Sequence, residues 1–415
     1  MPDSPILILV DPSASSVDKR SVAAPGGNRM VLGLSLAQRA QLAARRADFG
    51  RTLLIGKRGT GIPETVALSG WADLTASLPS GQRSPLAIAP ATVLAEVDWL
   101  KTLAEIEDAP AVWAAVSGRI ILVAAAASRE ALRTLDEAGA TDFGAVQTAL
   151  GRRYGLPANL PAVIDPLVVD GRSSQREAER RLLRKLVKDT DGFMARHVER
   201  PLSLQISRLL APTAITPNQM SLVSVAVGLC AGPFILSSRP LLQTIGALLF
   251  LAHSILDGCD GELARLKFQQ SHLGGVLDFW GDNVVHVGIF ACMAVGWCLA
   301  AGAAWPLFLG AAAVLGTLGS AGFVYWRLMQ AKDGGGALFT SVSAEPERPL
   351  ARMLDAASRR DFIYLVIVLA LAGKSSWFLL LAAIGAPIYF LLVVFLALRE
   401  RHSDCDGETR PVRGA

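Results

Sequence analysis

The sequence predicts an α-helical integral membrane domain of six transmembrane helices, preceded by a cytoplasmic α/β domain with a mainly parallel sheet. Three observations predict it. Hydrophobic residues make up 52% of the 415 residues and charged residues only 18%. Soluble domains have about 45–50% apolar residues even with glycine counted. The apolar residues are also unevenly placed. From residue 200 onward they gather into long runs, close to the roughly 20 residues that a membrane helix needs. Before residue 170, short β-like runs alternate with helical stretches, the pattern of a parallel sheet with crossover helices.

The first segment, "MPDSPILILVDPS", has no basic leader region and reads as a strand, Ile6 to Val10, rather than a signal peptide. "RTLLIG", "SPLAIA" and "RIILVAA" supply further strands, and Leu36 to Asp48 and Arg129 to Ala138 supply helices. These elements place the α/β domain at 1–170. Residues 171–215 form a connector. Its first part, "SSQREAERRLLRKLVKDTDGFMARHVER", is charged and helical in character, and suits a solvated face as well as a lipid-contacting one. Its second part, "PLSLQISRLLAP", spaces apolar residues at helical period with Arg208 on the other face, as in a helix lying on a membrane.

The membrane domain is expected at 216–400, followed by a polar tail at 401–415. Its apolar runs lie at about 219–237, 240–257, 276–298, 304–326, 361–373 and 375–397. The fifth is short, and its helix is expected to begin earlier, near Leu354. One set of connecting segments carries Arg265, Lys267, Arg327, Lys332, Arg359 and further basic residues, whereas the opposite set carries only Arg239 and Lys374. Basic residues collect on the cytoplasmic side. The expectation is therefore a multi-pass protein of the inner, cytoplasmic membrane with both termini in the cytoplasm.

Composition also excludes some classes. The net charge is only +4, and no basic stripe with interleaved aromatics is present, so nucleic acid is not expected as a partner. The five cysteines lack metal-site spacing and read as small packing residues.

The chemistry concentrates in "DGCDGELARLKFQQSHLGGVLDFWGD", residues 257–282. Asp257 and Asp260 end the second apolar run, and Asp278 and Asp282 begin the third. Residues three or four apart share a helix face, so each helix can present a carboxylate pair, and a short connection brings the two pairs together. Four converging carboxylates at a membrane edge repel one another and are costly. Hard divalent cations relieve that repulsion, since Mg²⁺ and Mn²⁺ take oxygen ligands and keep positions for water and phosphate. A pair of such ions suits phosphoryl chemistry. Gly258, Gly261, Gly274 and Gly275 permit close approach of backbone or ligand, and Arg265 can meet a phosphate with its bidentate fork. The bland alternative, helix-end aspartates that merely favour a macrodipole, accounts for Asp278 but not for Asp257 and Asp260.

In order, the segment reads D-x-x-D-G-x-x-A-R-x8-G-x-x-x-D-x-x-x-D, carried by Asp257, Asp260, Gly261, Ala264, Arg265, Gly274, Asp278 and Asp282. This resembles the signature of the CDP-alcohol phosphotransferases in every position, and "TPNQ" at Thr216 to Gln219 is similar to the Thr-Pro-Asn segment of that family. The resemblance covers about 185–400. It implies an enzyme that moves a phospho-alcohol group from a CDP-alcohol donor to a hydroxyl acceptor and releases CMP. It implies further that Asp257, Asp260, Asp278 and Asp282 face two Mg²⁺ or Mn²⁺ ions. Asp282 would be the general base, and Asn218, Gly261, Ala264, Arg265 and Gly274 would shape the donor pocket. A membrane lipid as partner and a homodimer are implied in the same way.

The junction "KLVKDTDGFMARHVERPLS" followed by "ITPNQ" resembles that of bifunctional enzymes in which a sugar-phosphate cytidylyltransferase is fused to this membrane domain. "GGNRMVLGLSLAQRAQLAARRADFG" is similar to part of such a nucleotidyltransferase. Those enzymes make CDP-inositol and then di-myo-inositol-phosphate phosphate. Here the catalytic features are eroded. No G-x-G-T-R follows the first strand, and Ala91 and Thr92 stand where a metal-binding acid is wanted. Gly26, Gly27 and Arg29 read as a turn. The N-terminal domain is therefore expected to be catalytically degenerate, and phospholipid-type synthesis is the leading reading, with inositol-type transfer or a non-catalytic scaffold as alternatives. A cation transporter is disfavoured because the aspartates sit at one membrane face rather than at the midplane. His253 and His286, one turn outside the aspartates, read as packing or hydrogen-bonded histidines.

Overall fold

The structure is a computed structural model, and it describes residues 4–11, 28–55, 66–68, 70–77, 84–106, 112–114, 119–155, 166–187, 191–330 and 362–408. Lys332, Arg359, Arg360, Gly26, Gly27 and the expected start near Leu354 lie outside these residues. The chain divides into two compact units, Met1–Arg184 and Lys185–Ala415.

The first unit is built on a six-stranded sheet. Its strands are β1 (Ile6–Val10), β4 (Arg51–Ile55), β5 (Val66–Leu68), β6 (Leu86–Pro90), β8 (Val112–Ala114) and β9 (Ile121–Val123), in the order β5-β4-β1-β6-β9-β8. The β1, β4, β5 and β6 pairings are parallel, with Ile6 opposite both Arg51 and Leu86. The β6–β9 and β9–β8 pairings are antiparallel. The "ILILV" of β1 is buried throughout, as a central strand covered on both faces requires. That continuous burial also hides the direction of β9, since an apolar run of three residues reads the same either way. Two small two-stranded sheets pair β2 (Met30–Val31) with β3 (Leu34–Ser35) and β7 (Val93–Leu94) with β10 (Leu167–Val168).

Helix α1 (Leu36–Arg46) starts at a capping box in which Ser35 and Gln38 satisfy each other's backbone. It stops two residues before the expected Asp48. That residue takes a left-handed φ of 60°, and Phe49 N–H returns to the Ala44 carbonyl at 3.0 Å, a Schellman closure. Helices α2 (Trp71–Ser77), α3 (Val97–Ala104), α4 (Ser128–Glu137), α5 (Phe143–Tyr154) and α6 (Arg172–Arg184) complete the unit. Arg39 of α1 is buried and donates to the Val31 carbonyl at 2.9 Å, and burial pushes its guanidinium down to about 10.

The second unit is helical. A π-helical turn at Ala195–Glu199 leads into α7 (Arg200–Leu210). Then follow α8 (Pro217–Ile235), α9 (Pro240–Leu266), α10 (His272–Ala301), α11 (Trp305–Gln330), α12 (Phe362–Leu371) and α13 (Trp377–Glu408). Among the described residues, five helices are long and apolar enough to cross a membrane: α8, α9, α10, α11 and α13. The expected six spans are thus described as five plus α12, an apolar helix of 10 residues. Helix α9 packs against α7, α8 and α12, while α10 packs on α8 and α11. The exposed faces carry Leu241, Leu299, Phe308 and Leu391, as lipid contact favours.

Candidate active site at the ends of three helices

Helix α8 owes its start to the segment singled out in the sequence. Thr216 caps it, accepting from Gln219 N–H while the Gln219 side chain returns to Thr216, and Pro217 takes the first turn, where its missing N–H costs nothing. Lys267, just past α9, donates to the carbonyls of Thr213 and Ile215 at 2.8 and 2.7 Å. This fixes the α7–α8 link against the end of α9. Asn218 is thereby placed in the first turn of α8 and is exposed.

Helix α10 starts at Ser271, whose hydroxyl accepts from Gly274 N–H at 3.0 Å. A Cβ on Gly274 would fall 3.0 Å from both Asn218 Oδ1 and Ser271 Oγ. Glycine lets α8 and α10 meet here.

The connection between α9 and α10 is short, and it brings three of the four aspartates together. Carboxylate oxygens of Asp257, Asp260 and Asp278 all lie within 4.8 Å of one another. Asp257 and Asp260 are buried, at 6% and 5% exposure, while Asp278 is more open. The Ser221 hydroxyl of α8 donates to Asp260 Oδ2. An oxygen-only, multiply anionic, partly desolvated donor set fits a hard divalent cation. Asp282 lies outside this group of three, with its Oδ1 3.3 Å from His253 Nε2, a contact without hydrogen-bond geometry. Arg265 folds back beside Gly261, where a Cβ would sit 3.4 Å from the Arg265 Nη1, and Ala264 is half-buried next to it.

Two polar networks escaped the sequence reading. Glu262, wholly buried on α9, accepts from Arg200 Nη1 at 2.9 Å and from Ser203 and Ser207 at 2.7 Å each. Arg200 also grips Asp191 with two bonds of 2.8 and 3.0 Å. Burial works against the Arg200 charge, but the hydrogen bonds and charges of Asp191 and Glu262 outweigh it and hold its pKa above the usual arginine value. So α7 faces the bundle with its serines and leaves Leu202 and Leu209 exposed. The second network joins Glu199 to Ser254 at 3.0 Å and to the Tyr364 hydroxyl at 3.3 Å. The signal for the first was a serine pair at i, i+4 beside an acid inside an apolar helix. Burial of Glu262 demands partners, but sequence spacing does not name them.

Comparison with known proteins agrees with this geometry. Residues 214–389 match the family model described as CDP-alcohol phosphatidyltransferase. A bifunctional IPC transferase and DIPP synthase of Thermococcus kodakarensis is 40% identical over 127 residues, 30% of this chain and 28% of that protein. A protein of the same name from Rubrobacter xylanophilus is 37% identical over 147 residues, 34% of this chain and 33% of that one. A CDP-diacylglycerol–serine O-phosphatidyltransferase of Mycobacterium bovis is 33% identical over 92 residues, 20% of this chain and 31% of that protein. The alignments with the bifunctional relatives span only a quarter to a third of those proteins' own length. Among solved structures, the phosphatidylinositol phosphate synthase of Mycobacterium tuberculosis with CDP-DAG bound aligns with TM-score 0.33 and 17% identity, covering 47% of this chain and 94% of that one.

Proposed function

We propose, from the match of residues 214–389 to the CDP-alcohol phosphatidyltransferase family, that this chain is a membrane-embedded CDP-alcohol phosphotransferase. It would transfer a phospho-alcohol group from a CDP-alcohol to a hydroxyl acceptor and release CMP. The observation that carries the reading is the cluster of Asp257, Asp260 and Asp278, with oxygens within 4.8 Å, inside the matched segment.

In this reading Asp257, Asp260 and Asp278 hold Mg²⁺ or Mn²⁺, with Asp282 at the edge of the same site. Bound ions would supply charge neutralisation of the diphosphate and of the departing CMP oxygen. Asp282 takes the proton of the acceptor hydroxyl as that oxygen bonds to the phosphorus carrying the alcohol. The phosphorus–oxygen bond to CMP breaks, and CMP leaves with both bonding electrons. Arg265 meets a donor phosphate through its fork, and Asn218, Gly261, Ala264 and Gly274 frame the nucleotide.

The domain plan that goes with it is an α/β domain at 1–170, a connector at 171–215, the catalytic membrane domain at 216–400 and a tail at 401–415. The basic residues of one set of connections support a site on the cytoplasmic side of the inner membrane, and the resemblance to the family supports a homodimer as the active form. Phospholipid-type synthesis is the first substrate reading. The identities of 37–40% to bifunctional IPC transferase and DIPP synthases favour a second, transfer from CDP-inositol to inositol phosphate.

The test is CMP release by the full chain in lipid with Mg²⁺ or Mn²⁺. CDP-diacylglycerol, CDP-inositol and CDP-choline are offered against inositol, inositol phosphate, glycerol phosphate and diacylglycerol. Release with one pair, lost in Asp282→Asn, supports the reading and names the substrates. Silence with every pair, while Mn²⁺ binds, argues for a scaffold.

A further inference from the structure

Glu199 is a buried carboxylate for which the proposed chemistry has no use. It ends the π-helical turn that leads into α7 and is 9% exposed. Its Oε2 accepts from the Ser254 hydroxyl of α9 at 3.0 Å, and its Oε1 accepts from the Tyr364 hydroxyl of α12 at 3.3 Å. Among the described residues these two neutral hydroxyls are its polar partners. The buried Glu262, by contrast, has the guanidinium of Arg200. A buried carboxylate answered by neutral groups alone adds little stability or costs some. What Glu199 does supply is a fixed arrangement of the three elements that meet on it.

Those elements bear on the aspartate cluster. Asp257 and Asp260 come from α9 and Asp278 from α10, with oxygens within 4.8 Å, so the cluster closes only at one spacing of the two helices. Ser254 lies one turn before Asp257. Further along, the first turn of α12 packs against both helices. The Phe362 ring lies 6.3 Å from Phe250 of α9 and 5.6 Å from His286 of α10, and those two rings are 5.5 Å apart, edge to face. Phe250 is seven residues before Asp257 and His286 eight after Asp278, about two turns along each helix. Ile363, the next residue of α12, is buried, and Tyr364 after it is the residue tied to Glu199. The π-helical turn favours this tie. Consecutive residues of a regular helix point about 100° apart, yet Glu199 and Arg200 both grip α9, at Ser254 and Glu262, roughly 12 Å apart along its axis. Single π-helical turns are frequent at functional sites.

We propose that Glu199 is a positioning residue that fixes α12 against α9 and, through Phe362, holds the spacing of α9 and α10 at which Asp257, Asp260 and Asp278 close on a divalent cation. This rests on the reading of those three aspartates as metal ligands. Glu199 acts through the helices and not on the metal or the substrate. Groups that orient metal ligands from behind commonly change metal affinity by about 10–100-fold when they are removed.

The experiment measures Mn²⁺ affinity by electron paramagnetic resonance, with the melting temperature, for variants of the full chain in lipid. Glu199→Leu removes both contacts. Glu199→Gln keeps them without the charge, since its amide oxygen can accept from Ser254 and its amide N–H can donate to the Tyr364 oxygen. Gln243→Leu is the control for general loosening. It cuts a tie at the far end of α9, where the Gln243 side chain donates to the Ser237 carbonyl at 2.9 Å and accepts from Ser375 N–H at 3.2 Å. The expected result is Mn²⁺ affinity at least about tenfold weaker in Glu199→Leu and close to the parent in Glu199→Gln and Gln243→Leu. Parental affinity in Glu199→Leu overturns the proposal. So does equal weakening in Gln243→Leu, which would make the effect one of stability, or a Gln variant as weak as the Leu variant, which would make it one of charge. Tyr364→Phe deletes a single hydroxyl and serves if Glu199→Leu does not fold: it should weaken Mn²⁺ in the same direction, and parental affinity there also overturns the proposal. Asp257→Asn separates the two ideas. Unchanged Mn²⁺ binding in Asp257→Asn removes the metal reading itself, whereas its loss there beside parental affinity in Glu199→Leu removes only the positioning role.

Discussion

Arg200 Nη1 donates to Glu262 Oε1 across 2.9 Å, at a point where Glu262 has no exposure to solvent. Glu262 lies two residues beyond Asp260, so this pair ties α7 to the back of the helix that carries two of the clustered aspartates. Removing Arg200 alone leaves Glu262 buried with only two serine hydroxyls and takes two hydrogen bonds from Asp191. Arg200→Met should destabilise the membrane unit by about 3–5 kcal/mol, whereas Arg200→Met combined with Glu262→Leu should recover much of that loss. Thermal unfolding of the purified variants measures both. Equal losses in the single and double variants would show that the ion pair, rather than the stranded charge, dominates.

The aspartates should separate into two kinds. Asp257→Asn, Asp260→Asn and Asp278→Asn should each weaken Mn²⁺ binding, because their oxygens lie together within 4.8 Å. Asp282→Asn should retain most Mn²⁺ binding and lose about 10²–10⁴-fold in turnover, the usual range for a general base. Electron paramagnetic resonance titration of Mn²⁺ alongside CMP release checks the division. Loss of Mn²⁺ in Asp282→Asn comparable to that in Asp257→Asn would place Asp282 among the ligands instead.

Ser221 donates to Asp260 Oδ2 from α8, orienting a carboxylate it does not replace. Loss of such a supporting contact commonly costs about 10–100-fold in metal affinity. Ser221→Ala should therefore weaken Mn²⁺ binding at least about tenfold, with the melting temperature little changed. Unaltered Mn²⁺ affinity would mean that Asp260 needs no help from α8.

A Cβ at Gly228 would fall 2.6 Å from Val285 Cγ1 and 2.9 Å from His253 Cγ. Gly228→Ala must push α8 away from α9 and α10. We expect a loss of about 1–3 kcal/mol, read from thermal unfolding of the purified variant. A variant as stable as the parent would show that the helices part here without strain.

The residues after β6 are Ala91 and Thr92, both buried, and they bring no carboxylate to the end of that strand. The full chain supplied with CTP, Mg²⁺ and inositol phosphate should release no pyrophosphate. Pyrophosphate release abolished by a substitution in residues 1–170 would restore a catalytic role to the N-terminal domain.

Much of this protein was legible before folding was considered. Aspartates at i, i+3 and at i, i+4 share one face of their own helix once each segment is helical, and the helical period alone fixes that. Thr216, Pro217 and Gln219 specify a helix start from local chemistry. The parallel strands around β1 announced themselves by continuous apolar runs. Local periodicity and composition determined these features, because each depends on residues a few positions apart. Residues far apart in the chain had to meet before the rest was settled. That β9 runs antiparallel is a matter of pairing between Ile121 and Ile88. That Glu262 faces Arg200 and two serines, rather than the other aspartates, depends on where α7 lies. That Asp282 stays outside the group of its three companions depends on how α10 is turned against α8 and α9. Buried polar groups must find partners in a medium that offers little water, and only the packed helices decide which partners those are.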